Sequence, residues 1–211
     1  MVKLPTLIIL AGFNGQPALS SHGTALQAFF QKLLDSDLPT LLVAPHALAR
    51  LARTLLPGDD VLEFTPRTEP PEGQTVREGD LQAQALAAGV EATSRAPGWL
   101  VLPADEGVRP LSATLRTLAR ALRHYPLVHP QFGLLNGQPV GYGAELFSEL
   151  IRLDGQRSVQ RLNARYPAMA IAVDDPGILS TRPPDEFAKP RAHEGRTPRP
   201  PRGHARSIAL S

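Results

Sequence analysis

The groups with chemical potential in this chain sit where apolar runs end. Gly12 and Gly15 follow the run 6–11 (TLIILA), Asp105 and Glu106 follow the run 99–102, and Asp174 and Asp175 follow the run 168–173. If each run is a strand of a parallel sheet, these segments lie outside the carboxyl ends of the strands, where such sheets bind ligands. Several other chemistries have no anchor. Zero cysteines exclude disulfides, thiolate metal sites and cysteine nucleophiles. No GxxxxGK[ST], HExxH or GxSxG occurs, so a P-loop, a zinc protease helix and a serine nucleophile elbow are all missing.

The elements that must position these groups follow from periodicity. Residues 6–11 are continuously apolar and rich in β-formers, as expected of a strand buried on both faces. Further strands are expected over 38–44, 61–64, 99–102 and 168–173, with an extended stretch over 126–132. Leu26, Phe29, Phe30 and Leu33 recur at helical spacing and predict a helix over 24–34. Other helices are expected over 46–55, 81–93 (with Asp80 as N-cap), 112–124, 144–151 and 158–166. Asn136-Gly137 is a turn signal. The polar, proline-bearing stretch 65–79 reads as a loop near a site. Strands alternating with helices predict an α/β fold, a Rossmann-like three-layer sandwich with a mainly parallel sheet and helices on both faces.

Composition narrows the class of function. Residues 188–211 carry six Lys and Arg against one Glu, a net +5, while the whole chain is +2, leaving about −3 for residues 1–187. The basicity therefore belongs to a Pro/Arg-rich tail, expected to be disordered, and not to the body. Aromatic residues are 5% and form no basic-aromatic stripe, so no nucleic-acid partner is expected. No run approaches the roughly 18–20 apolar residues of a membrane span, and no signal-peptide pattern opens the chain, so a cytoplasmic protein with no membrane partner is expected. The expected division is one domain over 1–187 and the tail over 188–211.

The order of motifs resembles the MobA-like NTP transferases, the nucleotidyltransferases of molybdenum cofactor biosynthesis. Leu10-Ala11-Gly12 matches the opening Leu-Ala-Gly, Gly15-Gln16-Pro17 the stretch before the family lysine, and His22-Gly23 the start of the following helix. The segment 79–92 resembles the family's Ser-Leu-x-x-Gly helix, with Gln84 in the serine's place. The segment 98–122 resembles the strand ending in Gly-Asp-Met-Pro and its helix, placing Asp105 on the metal-binding aspartate. Asn136-Gly137-Gln138-Pro139-Val140 resembles the Gly-His-Pro-Val turn of the cytidylyl-transferring members, and 174–179 (DDPGIL) a turn near the family's C-terminus.

That resemblance implies nucleotide binding by Leu10, Ala11, Gly12 and Gly15, an acceptor-side turn at Gly137, Gln138 and Pro139, and Mg²⁺ on Asp105. It implies CTP or GTP as substrate, a molybdopterin-type acceptor and a molybdoenzyme as the protein partner. The chain departs from the pattern at its charges. Ala18 stands in the lysine's place, no Lys or Arg occurs between Lys3 and Lys32, and the late aspartates are replaced by 180–186 (STRPPDE). His22, Arg77 and Arg109 are the residues available to replace the missing phosphate charge. Three functions follow as expectations: an active nucleotidyltransferase, a catalytically inactive binding or chaperone-like module, and, last, a nucleotide-sugar glycosyltransferase.

Overall fold

A computed structural model describes residues 3–13, 29, 31, 33, 35–66, 77–104 and 107–180. Strand β1 (Thr6–Leu10) is buried at every residue. Its side chains alternate between two cores: Leu7 and Ile9 belong to one, Ile8 and Leu10 to the other. A strand with apolar residues on both faces can only lie inside a layered fold. Strand β2 (Thr40–Ala44) divides in the same way, Leu42 and Ala44 against Leu41 and Val43.

The two cores are two helix layers. On the first face lie α1 (His46–Ala52) and, further along, the helix Ser112–Ala121, with Phe29 and Leu33 beside them. On the second lie α2 (Glu78–Ala92) and the later helices. Strand β3 (Val61–Glu63) pairs with β2, and β4 (Gly98–Pro103) pairs with β1, all four in parallel. Next come α3 (Ser112–Ala121), β5 (Leu127–Phe132), β6 (Leu135–Asn136) and β7 (Val140–Gly143). A 3₁₀ turn and α4 (Phe147–Leu150) follow, then α5 (Gln156–Arg165) and β8 (Met169–Ala172).

The sheet runs β3-β2-β1-β4-β7-β5-β6, with β8 paired to β5. β7 is antiparallel to both β4 and β5, and β8 is parallel to β5, so only β6 and β7 run against the rest. The expected mainly parallel α/β sandwich is what forms. Three local expectations differ. Val140–Gly143, rich in glycine, is a strand inserted at the middle of the sheet, not part of a turn. The hairpin turn is Gly133-Leu134, where Gly133 has φ 60°, and Asn136 lies in β6. Helix α2 starts three residues early with Arg77 as N-cap, which leaves the Asp80 carboxylate free to act elsewhere. Its Oδ1 accepts from Gln156 N at 2.9 Å. Asp80 thus caps α5 and ties the N-termini of two helices together. The expected helix 24–34, the loop 65–79 and the tail fall wholly or partly outside the described residues.

Candidate functional site

β1 leads to β2 on one side and β4 adds on the other, so a crevice opens where Leu10 and Pro103 pair at the carboxyl ends. The backbone must turn sharply there. Gly12 has φ 84°, and a Cβ on it would meet Pro45 Cδ at 3.1 Å and Leu48 Cδ2 at 3.2 Å. Both the conformation and the space favour glycine. Ala11 N donates to Val43 O at 3.2 Å, which holds the strand end in register.

The crevice is a cavity of about 260 Å³. Leu10, Val101, Pro103 and Val140 form its apolar floor, and α2 and α5 supply its walls. The walls are carboxamides: Gln82 from α2, Gln156, Gln160 and Asn163 from α5, and Gln138 from the turn before β7. The three α5 residues sit at i, i+4 and i+7, which places them on one helix face. The side chains of Gln138, Gln156 and Gln160 have no hydrogen-bond partner among the described residues, so their donors and acceptors are available to a ligand. Tyr142, 2% exposed, donates to Asn163 Oδ1 at 3.2 Å. Burial pushes its phenol up to about 12.

A second cavity of about 390 Å³ continues from the first across Gln138, Val140 and Asn163. It adds His129, Asn136, Gly137 and Ser180. His129 Nδ1 is buried and unpartnered among the described residues, the state of a group awaiting a ligand or water. No Asp, Glu, Lys or Arg is among the described residues lining the two cavities.

A clasp behind the cavities holds three loops together. Asp175, 2% exposed, accepts from Leu111 N at 2.7 Å and Thr114 Oγ1 at 2.6 Å through Oδ2, and from Gly177 N at 3.0 Å through Oδ1. Arg109 N donates to Gly177 O at 2.7 Å, and Gln138 N to Ile178 O at 2.8 Å. A Cβ on Gly137 would come 2.5 Å from Ile178 O, so the turn before β7 packs on this clasp as closely as backbone allows. Gln138-Pro139 is a cis peptide. The DDPGIL motif is therefore structural through Asp175, and it sets the position of Gln138.

The sequence-derived site residues fall as follows. Leu10 and Gln138 come together in one cavity, with Gly137 at its extension. Gly15, His22 and Asp105 lie outside the described residues. Arg77 is exposed at the start of α2 and lines neither cavity. The Arg109 guanidinium stacks 4.5 Å from the Phe29 ring centroid and donates to Val108 O at 2.7 Å. Partial desolvation lowers its pKa, though an arginine so placed stays charged. It too is absent from the walls of both cavities. Gln84, in the family serine's place, turns its amide to Asp154 O at 3.3 Å, and Gln82 lines the cavity instead.

No group of three His, Cys, Asp or Glu side chains that could hold a metal gathers among the described residues. Those residues alone therefore do not fit a divalent ion.

The comparisons with known proteins agree with this geometry. The model of the MobA-like NTP transferase domain matches residues 10–169. No curated protein matches the chain. Among solved structures, Rv0371c from Mycobacterium tuberculosis H37Rv, in a complex with manganese, is 20% identical, with a TM-score of 0.61 over 82% of this chain and 89% of that one. Its homologue from Mycobacterium sp. strain JC1 is 19% identical, with a TM-score of 0.61 over 80% and 85%. A 4-diphosphocytidyl-2C-methyl-D-erythritol synthase is 14% identical, with a TM-score of 0.56 over 89% and 96%. At these identities the likeness is one of fold. No described helix is long and apolar enough to cross a membrane. The family model spans most of the chain and both halves of the cleft, and on that match the chain belongs to the MobA-like NTP transferase domain family, a family of nucleotidyltransferases.

Proposed function

We propose that the paired cavities bind a nucleoside triphosphate and a molybdopterin-type acceptor side by side, and that the protein transfers CMP or GMP between them. The observation that carries this reading is the junction at Gln138. It belongs to both cavities and stands between the end of β1 and the clasped turn. Carboxamides present a donor and an acceptor on one plane, which suits the edges of a pyrimidine, purine or pterin ring. In the transfer, an acceptor phosphate oxygen forms a bond to the α-phosphorus as the bridge to the β-phosphorus breaks, and pyrophosphate leaves. The chain's contribution is to bind and align the two partners. In this reading Leu10, Ala11, Gly12 and Gly15 hold the nucleotide, Asp105 would hold Mg²⁺, and the phosphate charge would be met by His22, Arg77 or Arg109, the two arginines reaching in from outside the cavity walls. A molybdoenzyme would receive the product. The folded domain is taken as residues 1–187, with 188–211 as a tail, and a cytoplasmic location follows from the substrates.

A second reading is favoured by one specific feature, a cleft with no Asp, Glu, Lys or Arg among its described lining residues, together with Ala18 in the lysine's place. It holds that the protein binds the same ligands but does not transfer, acting as a carrier or chaperone-like module. Incubation with molybdopterin, Mg²⁺ and either CTP or GTP separates the two. Release of pyrophosphate with formation of the dinucleotide supports transfer. Saturable binding of both ligands with no product supports the carrier. Failure to bind either ligand refutes both.

A further inference from the structure

We infer a second ligand site at the opposite pole of the sheet, where the strands begin, for a small molecule that joins a phosphate group to an apolar or aromatic body. A cavity of about 750 Å³ opens there, between the segments that lead into β1, β2 and β4 and the C-terminal half of α3. That volume is within the usual range for small-molecule sites, roughly 300–1,000 Å³.

Its charge is against the trend of the molecule. Lys3, Arg116, Arg120 and Arg123 line it, facing two carboxylates, Asp37 and Glu145. Residues 1–187 as a whole are net negative. None of these six side chains is in an ion pair among the described residues. Arg116 and Arg120 stand at i and i+4 on one face of α3, and Arg123 lies in the turn that follows the helix, where its N–H donates to Arg120 O at 3.2 Å. Arg120 and Arg123 also suit the negative end of a helix dipole, but Lys3 comes from another segment and Arg116 from the helix middle, so the dipole does not explain the cluster. One guanidinium is anchored: Arg116 Nη1 donates to Asp35 O at 2.9 Å. Guanidinium groups so gathered match phosphate oxygens in a way that isolated surface lysines do not.

Apart from Ser36 and His124, the rest of the lining is aliphatic or aromatic. Leu4 is 45% exposed and Tyr125 is 39% exposed, both large surfaces left open beside the cations. Asp37, on the rim, holds φ 58°, a left-handed conformation that fixes the edge of the mouth. Cations beside open aromatic and aliphatic surface favour an amphiphilic anion over a bare one. The site stands apart from the cleft of the proposed function and does not depend on it.

Phenyl phosphate and inorganic phosphate are the probes, added to the full-length protein and followed by amide NMR shifts and calorimetry. The expected result is saturable binding of phenyl phosphate that moves amides at 35–38 and 116–125 and leaves those of Gln138 and 156–163 in place. Inorganic phosphate should bind at least about tenfold more weakly. In the Arg120→Gln/Arg123→Gln variant binding should weaken at least about tenfold, while the Arg120→Lys/Arg123→Lys variant, which keeps the charge and the helix end, should lose less. No binding, shifts confined to the cleft, or equal affinity in the Gln variant would overturn the site. Equal affinity for inorganic phosphate would overturn its amphiphilic ligand.

Discussion

Thr114 Oγ1 donates to Asp175 Oδ2 at 2.6 Å across 61 positions of sequence, and both residues are buried. The bond fixes the start of α3 to the turn that positions Gln138. A buried carboxylate that loses its donors, or donors that lose their carboxylate, leave polar groups with neither protein nor water.

Asp175→Ala should therefore lower stability by about 2–4 kcal/mol, since three donors lose one acceptor residue in the interior. Urea unfolding of the variant measures it. Thr114→Val should cost less, about 1–2 kcal/mol, because Leu111 N and Gly177 N keep their partner. A change below about 0.5 kcal/mol in Asp175→Ala would contradict the clasp.

Gly137→Ala tests the turn itself. A methyl group would arrive 2.5 Å from a backbone carbonyl oxygen that cannot rotate away, so the turn must shift. Ligand affinity in the cleft should fall at least about tenfold, with a stability loss of about 1–3 kcal/mol. Calorimetric titration of the folded variant reads the first, thermal unfolding the second.

Tyr142 gives a pH dependence with a definite sign. Its ordinary value of 10 is raised to about 12 by burial. Below pH 10 the phenol is neutral whether the chain is folded or not, and its contribution is complete. Between pH 10 and 12 only the unfolded chain ionises, so stability falls as pH rises, by on the order of 2–3 kcal/mol by pH 12. Tyr142→Phe should remove that part of the alkaline loss. In the parent protein, one tyrosine should show its phenolate absorbance only near pH 12.

Much of the fold was legible because burial on both faces leaves continuous apolar runs, as in 6–11 and 99–102, and because helical spacing marks α3 clearly. β7 was not legible, since it is short, carries two glycines and follows a turn signal, and only the close approach of Val128 on β5 and Leu100 on β4 explains Gly141. Asp80 shows a similar limit: a carboxylate before an apolar run signals a cap, but sequence does not say which helix it caps. Of the residues lining the cavities, Leu10 and Gln138 were singled out by their place in ordered motifs. Gln82, Gln156, Gln160, Asn163 and His129 were missed. Glutamines on a helix look like solvated surface, and the one available signal was the i, i+4, i+7 row on α5. His129 sits on a strand like any half-buried histidine, and only the missing partner of its Nδ1 distinguishes it.

The most direct test of the cleft as a nucleotide site is thermal unfolding with CTP, GTP and ATP, each with and without Mg²⁺, on the parent protein and on Gln138→Ala. A ligand that binds only the folded state, at 100 times its Kd, adds about 2.7 kcal/mol. The expected result is a shift of that order with CTP or GTP, larger than with ATP and diminished in Gln138→Ala. No shift with any nucleotide, or an equal shift in the variant, would contradict a nucleotide site in this cleft.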